Sequence, residues 1–432
     1  MSFSAQNKAR NYLALAASLL MLPLVLLLNE PLHAQANINS PYSIFGPGEL
    51  KGNELFRNMS MGGLAQGFRS NTSVNYINPA SYSAMDSLSF VFDATVFSHI
   101  YQQKIADQRQ TTTYSALGNF NFAFPVTRWW SVAAGILPYS QVGYRIVDRS
   151  PLEGKVNYLY EGNGGINQVY LGHGFRIYKG LSAGINFSYL FGKSEDQQIA
   201  YSDSIIGFFR TVWNYADDID GFMLTYGLQY EQRLGRNSSI TLGATFTDNT
   251  NLTVARNELI LRDLPGVRNT LDTLNIISGQ SSEMLIPQSF GAGTFIKFNN
   301  HWSGGLDYQM QNWSNFEVHG QNQNLNDSWQ LRMGLVHNPR VETFSLFFSR
   351  WEYRAGLRFG QSFLSYNNED FSELGISFGV GIPVRRSLSA LNIGFEYANR
   401  TAGNDDIISE NFFRINLGVN IYERWFVRRR FF

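Results

Sequence analysis

Apolar and polar residues alternate along most of the chain after residue 86. In Phe413-Arg-Ile-Asn-Leu-Gly-Val-Asn-Ile421, every second residue is apolar and the residues between them are Arg, Asn, Gly and Asn. Leu391-Asn-Ile-Gly-Phe-Glu-Tyr397 repeats the pattern, as do positions 183–189, 224–230 and 240–246. Successive side chains of a strand point to opposite faces, so the pattern predicts an all-β protein whose strands each carry one apolar face.

Alternation alone is also typical of a soluble β-sandwich with one face in water. Here the polar positions are mostly small and neutral, and only 16% of residues are charged, against about 25% in soluble domains. Aromatic residues also fall near predicted strand ends, as in the interfacial girdles of membrane barrels: Trp129, Trp130, Tyr139, Trp302, Trp313, Trp329, Trp351, Tyr422 and Trp425. These features favour a transmembrane antiparallel β-barrel over a sandwich.

The alternation marks fifteen candidate strands: 88–101, 112–124, 129–141, 168–178, 181–192, 197–213, 220–234, 238–250, 286–298, 301–313, 327–340, 351–366, 372–382, 390–400 and 411–422. Single-chain outer-membrane barrels of Gram-negative bacteria have even strand numbers, so one assignment is wrong or one strand is missed. We expect about 14 strands within a barrel domain at 87–432. The stretches 142–167 and 251–285 are interpreted as extracellular loops or strand extensions.

The first 36 residues have the features of a signal peptide. Lys8 and Arg10 precede an apolar core at 12–28, and small residues near 34–36 offer cleavage sites. The alternative is a retained membrane anchor. The tail 423–432, with four arginines, is interpreted as interfacial anchoring, with an extra strand, a periplasmic extension or a partner-binding segment as alternatives.

Residues 37–86 are rich in Gly, Ser and Asn and show little alternation. The segment is too apolar for a disordered tail. A barrel of about fourteen strands is wide enough to need a plug, so the sequence predicts that this segment folds inside the lumen as a hatch.

Composition argues against several other functions. Basic and acidic residues number 34 each, which leaves no electrostatic basis for nucleic-acid binding. The chain has no Cys and six scattered His, with no metal-ligand spacing, and we expect no metal or cofactor. An outer-membrane hydrolase would need a serine beside a base. His99, His173, His301, His319 and His337 lie in no recognisable spacing, so they are interpreted as lumen or loop residues and the chain as a non-enzyme.

The order of these features resembles the FadL long-chain fatty-acid transporters and their aromatic-hydrocarbon relatives. The similarity rests on Asn78-Pro79-Ala80, preceded by Gly62, Gly63 and Asn75 and followed by Ser81. Further similar stretches are Ile286-Pro-Gln-Ser-Phe-Gly291, Asp307–Phe316 and Leu374–Pro383. The stretch at 39–50 departs from the usual transporter N-terminus and is closer to divergent FadL-like barrels.

This resemblance implies a porin-like outer-membrane barrel for passive uptake of long-chain fatty acids or aromatic hydrocarbons, in which residues 62–81 belong to the hatch. Its partners would be hydrophobic small molecules or lipids and the outer-membrane lipids. The alternative is an accessory barrel in a secretion or assembly complex, with envelope proteins as partners. For Asn78-Pro79-Ala80, a rigid turn without a further role also remains open.

The resemblance also implies a kinked third strand with a lateral exit to the bilayer. Gly135 and Pro138 lie in the predicted third strand, and proline cannot donate to a strand ladder, so we place the opening there. A simple strand end at Pro138 is the alternative. A carboxylate ligand would need cations, for which Arg176, Arg332, Arg354 and Arg358 are candidates. Pairing of these arginines with lumen acids such as Glu396 is equally compatible with the sequence.

Overall fold

The computed structural model describes residues 40–51, 55–105, 107–149, 156–202, 204–267, 271–339, 347–366, 369–385, 387–404 and 406–425. The predicted signal peptide and residues 426–432 of the basic tail lie outside this part of the chain. No helix among the described residues is long and apolar enough to cross a membrane.

The strands are β1 Glu49–Leu50, β2 Ser89–Ile105, β3 Gln108–Pro125, β4 Trp130–Asp148, β5 Asn157–Tyr178, β6 Leu181–Tyr201, β7 Arg210–Arg233, β8 Ser239–Thr247, β9 Thr250–Asp263, β10 Asp272–Ile286, β11 Ser289–Lys297, β12 Trp302–Gln311, β13 Glu317–Val318, β14 Gln321–Asn322, β15 Ser328–His337, β16 Glu352–Tyr366, β17 Glu369–Pro383, β18 Ala390–Thr401 and β19 Ser409–Arg424. A short helix, α1, spans Phe56–Met59, and 3-10 turns span Pro41–Ile44, Pro79–Ala84, Trp313–Asn315 and Phe347–Arg350.

Fourteen strands of the described chain form one closed antiparallel barrel, if β8–β9 and β10–β11 are each counted as one interrupted strand. β7 pairs with both β8 and β9, β11 pairs with β8, and β10 pairs with β9. The ring closes where β19 pairs with β2, from Ser409↔Lys104 to Arg424↔Ser89. The predicted fold class and the strand number of about 14 are confirmed.

The predicted apolar face points outward. Along β19, Phe413, Leu417 and Ile421 are exposed, whereas Asn416 and Asn420 are buried in the interior. Because the same alternation runs through the wall strands, the barrel presents a broad apolar outer surface. A surface of this extent is suited to lipid rather than to water.

One strand assignment is wrong. The predicted strand 197–213 spans the end of β6, a connection and the start of β7. In that connection the Ser202 hydroxyl accepts hydrogen bonds from the amides of Ser204 and Ile205, and Gly207 has φ +81°. This local turn chemistry breaks the strand. The stretches 142–167 and 251–285 are largely strand extensions, because β4, β5, β9 and β10 run through them.

The aromatic girdle is only partly present. Trp129, Trp302 and Trp425 are exposed, as expected for interfacial residues. Trp313 and Tyr422 are buried, and Tyr139 packs against the interior apolar cluster, so their assignment to the girdle is wrong. Trp313 lies on a 3-10 turn outside the wall strands, where strand alternation gives no information about its direction.

Candidate functional site

Residues 40–85 contact inward-facing residues on opposite sides of the barrel. The Ser43 hydroxyl donates to the Gly143 carbonyl of β4 at 3.0 Å. Across the ring, the Asp307 carboxylate of β12 accepts hydrogen bonds from the amides of Ala65 and Gln66 at 2.6 and 2.8 Å. The segment therefore bonds to β4 on one side of the barrel and to β12 on the opposite side. The described part of 40–85 lies within the ring of strands. We call it the inner segment.

Asn78 fixes the end of the inner segment. Its Oδ1 accepts from the Ala80 amide at 3.1 Å and so caps the 3-10 turn that begins at Pro79. Its Nδ2 donates to the Gln66 carbonyl at 2.8 Å and approaches the Leu228 and Ala244 carbonyls of β7 and β8 at 3.3 and 3.4 Å. One side chain therefore links the turn, the inner segment and the wall.

The Pro79 turn packs against glycines of the wall. A Cβ added to Gly184 on β6 would overlap the Pro79 backbone, and one added to Gly227 on β7 would overlap Asn78 and the Pro79 ring. Ala80 is fully buried. Wall and turn approach too closely here for any side chain on these two wall positions.

The remaining predicted hatch residues bond both to the wall and within the inner segment. Gly62 and Gly63 have φ of +69° and +89°, which glycine adopts without strain, and the Gly62 amide donates to the Ser377 hydroxyl at 2.9 Å. Asn75 Nδ2 donates to the Ala65 carbonyl at 2.7 Å, and the Ser81 hydroxyl donates to the Asn75 carbonyl at 3.1 Å. These bonds hold the irregular backbone in one conformation.

A buried ionic cluster joins the inner segment to the wall. Arg400 Nη1 and Nη2 donate to the two carboxylate oxygens of Glu49 at 3.0 and 2.9 Å. Arg400 also pairs with Glu410 at 3.1 Å, and Arg414 lies 3.8 Å from Glu49. Burial alone would raise the pKa of Glu49, but the charge and hydrogen bonds of Arg400 outweigh it and lower the pKa to about 2. Glu49 is therefore ionised at neutral pH.

A cavity of about 250 Å³ lies between the inner segment and the wall. Part of its lining is apolar, with Tyr139, Met223, Ile286 and Phe363, and part is charged. The charged lining comprises Glu49, Arg332, Arg358, Glu373, Glu396, Arg400 and Arg414. The cavity is therefore amphipathic.

Two of the four arginines proposed as head-group ligands line this cavity. Arg358 donates to Glu396 at 2.6 Å and pairs with Glu373 at 2.6 Å, so it is already neutralised by lumen acids. Arg332 bonds Gln330 Oε1 through Nε and Nη2, while its buried Nη1 has no hydrogen-bond partner among the described residues. Arg332 is thus the better placed of the two for an anionic group.

The other two arginines do not line the cavity. Arg176 Nη2 donates to the Ser83 carbonyl at 2.8 Å and secures the end of the inner segment. Arg354 donates to Glu352 at 2.6 Å and to Asn392 at 2.7 Å. Their hydrogen bonds give both a role in holding the structure together.

The wall has an interrupted ladder between β3 and β4. Pairing runs only from Pro125↔Ser131 to Phe120↔Ile136, whereas β4 pairs with β5 along its whole length from Trp130 to Asp148. Gly135 lies in the last paired stretch, where a Cβ would overlap Asn121. Pro138 lies just beyond that stretch, next to a register shift in the β4–β5 ladder.

The inner segment occupies the β4 edge that β3 leaves free. Glu49 and Leu50 of β1 pair with Gln141 and Ser140, and the Lys51 amide donates to the Tyr139 carbonyl at 2.9 Å. A side-chain hydrogen bond from Gln141 to the Tyr114 hydroxyl bridges the space to β3. The interruption in the ladder is therefore covered from inside by the inner segment. Strand periodicity does not reveal β1, which has only two residues.

A buried apolar cluster borders the cavity and shares Tyr42 and Phe363 with its lining. The connection 312–327 between β12 and β15 carries Trp313, Phe316 and Leu325, all buried in one cluster with Tyr42 of the inner segment and Met284 of β10. The rings of Trp313 and Phe363 pack in a tilted arrangement, with a centroid distance of 4.9 Å and an angle of 34° between their planes. Hydrophobic packing therefore adds to the ionic cluster in fixing the inner segment.

No group of three or more His, Cys, Asp or Glu side chains within the described ranges has metal-binding geometry. The structure also brings the side chains of Ser282, His319 and Asp217 together. The spacing of these residues in the sequence does not indicate this cluster. Their contacts are Ser282 Oγ to His319 Nδ1 at 2.6 Å and His319 Nε2 to Asp217 Oδ2 at 2.9 Å. The three residues come from different strands and loops, so no sequence motif marks them.

The fold is similar to that of solved hydrocarbon channels. The toluene transporter TbuX of Ralstonia pickettii is 15% identical, with a TM-score of 0.59 over 87% of this chain and 99% of that one. The toluene transporter TodX of Pseudomonas putida is 13% identical, with a TM-score of 0.58 over 90% and 99%. A FadL homologue of Pseudomonas aeruginosa is 13% identical, with a TM-score of 0.58 over 86% and 98%.

Sequence identities this low establish a shared fold and nothing more. The resemblance to FadL-like barrels that the sequence predicts is confirmed as a similarity of fold. A comparison with curated proteins finds no match. The family model described as BamG matches residues 18–432, nearly the whole chain. The chain therefore belongs to the BamG family and has the fold of a FadL-like β-barrel.

Proposed function

We propose that the protein is an outer-membrane channel through which hydrophobic compounds pass by diffusion, without a cofactor. The observation that carries this proposal is the amphipathic cavity of about 250 Å³, which lies next to the interrupted β3–β4 ladder. The apolar outer surface supports a location in a bilayer. The fold shared with toluene transporters supports the same class of cargo.

In this proposal the inner segment acts as the hatch. Compounds enter the cavity and bury their apolar surface there. This burial is favourable by about 25 cal/mol of free energy for each Å² removed from water. They leave sideways between β3 and β4, near Gly135 and Pro138, when β1 releases the β4 edge. The bilayer beyond is itself apolar, so transfer out of the cavity needs no energy input.

Substrate shape and charge follow from the cavity lining. A small aromatic hydrocarbon needs only the apolar side, formed by residues such as Met223 and Ile286. A fatty acid would place its carboxylate at Arg332, whose Nη1 is buried without a hydrogen-bond partner in the described chain. Charge-assisted hydrogen bonds to such a group are stronger than neutral ones.

The test is uptake by cells with and without the protein. Radiolabelled toluene and a labelled long-chain fatty acid are supplied outside at low concentration, so that permeation is limiting. We expect faster uptake of at least one compound when the protein is present. Equal uptake across a broad panel of aromatic and aliphatic compounds would overturn the proposal and leave an accessory role in an envelope complex as the remaining interpretation.

A further inference from the structure

Ser282, His319 and Asp217 form a continuous hydrogen-bond relay on the inner side of the barrel. Ser282 lies on β10, Asp217 on β7, and His319 at the tip of the β13–β14 hairpin. With the ring proton on Nε2, His319 donates to Asp217 Oδ2 at 2.9 Å, and its Nδ1 accepts from the Ser282 hydroxyl at 2.6 Å. This is the order nucleophile, base and orienting acid that activates a serine.

Asp217 and His319 are both held in place. Arg256 donates through Nε and Nη2 to the two oxygens of Asp217, each at 2.8 Å, so this carboxylate stays ionised and oriented. The His319 backbone has φ +54°, which is uncommon for a residue with a side chain. The following Gly320 with φ +72° and a hydrogen bond from the His319 amide to the Glu283 carbonyl fix this turn.

The surroundings of the relay are apolar on one side. Ser282 pairs across the sheet with Val254, and Met284 follows two positions along the same face of β10. Ile219 follows Asp217 in the same way on β7. Val254, Met284 and Ile219 belong to one buried cluster that continues toward the cavity. An acyl or aryl group placed on this cluster would have its polar end at Ser282.

We propose that this relay is a serine esterase site for esters of hydrophobic acids. Ser282 Oγ attacks the ester carbonyl carbon, and its proton passes to His319 Nδ1. The tetrahedral intermediate collapses, the C–O bond to the alcohol breaks, and the alcohol leaves with that proton. Water then attacks the acyl-serine, again giving a proton to His319, and the free acid leaves as Ser282 regains its proton. The sum is ester plus water to acid plus alcohol.

The experiment uses the full-length protein in detergent and a fluorophosphonate probe, which loses fluoride as its phosphorus bonds to an activated serine. The labelled residue is identified by mass spectrometry, and folding is monitored by far-UV circular dichroism. We expect the label on Ser282, its loss in Ser282→Ala, and at least a tenfold slower reaction in His319→Gln. Ser98→Ala is the matched control, since the Ser98 hydroxyl accepts a hydrogen bond from the Ser115 hydroxyl and has no histidine bonded to it in the described chain, so this variant should label like wild type.

Hydrolysis of p-nitrophenyl esters provides a second readout. The octanoate should be cleaved faster than the acetate, and Ser282→Ala should remove this difference. Absence of label on Ser282 in folded wild-type protein, or equal labelling rates in wild type and His319→Gln, would overturn the proposal. Uptake of hydrocarbons does not depend on this relay, so the two proposals fail separately.

Discussion

Replacing Glu49 with Gln should loosen the inner segment without unfolding the barrel. Glu49 receives two hydrogen bonds from Arg400 at 3.0 and 2.9 Å, and both side chains are buried. Its pKa of about 2 lies well below 4.5, the usual value for a glutamate. At about 1.4 kcal/mol per unit, the ionised form is favoured by roughly 3 kcal/mol in the folded state.

This value is an upper bound for the variant, because Arg400 keeps its pair with Glu410. An effect of between about 1 and 3 kcal/mol corresponds to about a 5- to 150-fold larger open population. Hydrogen exchange of the amides at 49–51 measures that population, since these amides belong to the β1–β4 pairing. Amides in the middle of β17–β18 should exchange as in wild type.

The pH dependence has a definite sign. The pKa of Glu49 is lowered on folding, so its stabilisation is present above the unfolded pKa of about 4.5 and is lost as pH falls toward 2. As the pH falls toward 2, the amide exchange rate of Glu49→Gln at 49–51, divided by that of wild type, should therefore decrease. Glu231→Gln is the matched control, because its pair with Arg69 is 3.9 Å long and more exposed. Equal exchange at 49–51 in wild type and Glu49→Gln at pH 7 would show that the Glu49–Arg400 pair does not hold the inner segment against β4.

Two further substitutions probe the packing of the inner segment and of the connection 312–327. Gly184→Ala places a methyl group against the Pro79 backbone and should destabilise the inner segment by about 1–3 kcal/mol. Thermal melts followed by far-UV and near-UV circular dichroism should show this loss of stability. An unchanged melting temperature would contradict the close approach of Gly184 to Pro79. Trp313→Ala removes a fully buried side chain and should destabilise the protein by about 3–5 kcal/mol. The connection 312–327 should then be cleaved by limited proteolysis. Cleavage no faster than in wild type would show that Trp313 does not hold this connection in place.

The wall of the barrel could be predicted from the sequence because one physical rule governs it. Alternate side chains face lipid and lumen, so Phe413, Leu417 and Asn416 each reveal their direction by position alone. The assignment at 197–213 was wrong because residues on both sides of a short connection keep a strand-like composition. The serine turn at Ser202 breaks the strand there, and periodicity does not register it.

The interior was less predictable because its contacts join residues far apart in the chain. Glu49 and Arg400 are separated by 351 positions, and neither belongs to a motif. The family resemblance points to Asn78, Pro79 and Ala80, but the Asn78 contacts with β7 and β8 join residues that only the tertiary fold brings together. Among the arginines, sequence gave no means to separate Arg332, which lines the cavity, from Arg176, which ties down a turn.

Locking the inner segment to the wall tests whether compounds pass through the barrel and leave sideways between β3 and β4. Leu50 and Ser140 lie opposite each other in the β1–β4 pairing, and the chain has no native cysteine, so Leu50→Cys with Ser140→Cys offers one disulfide. Ser98→Cys with Ser115→Cys, which lie opposite each other in the β2–β3 pairing, is the control pair.

The measurement is uptake of radiolabelled toluene by cells carrying each pair, oxidised and then reduced. We predict that oxidation stops protein-dependent uptake by the variant with cysteines at Leu50 and Ser140, and that reduction restores it. The variant with cysteines at Ser98 and Ser115 should take up toluene equally in both states. Equal uptake by the oxidised and reduced Leu50–Ser140 pair, with the disulfide verified by mass spectrometry, would contradict it.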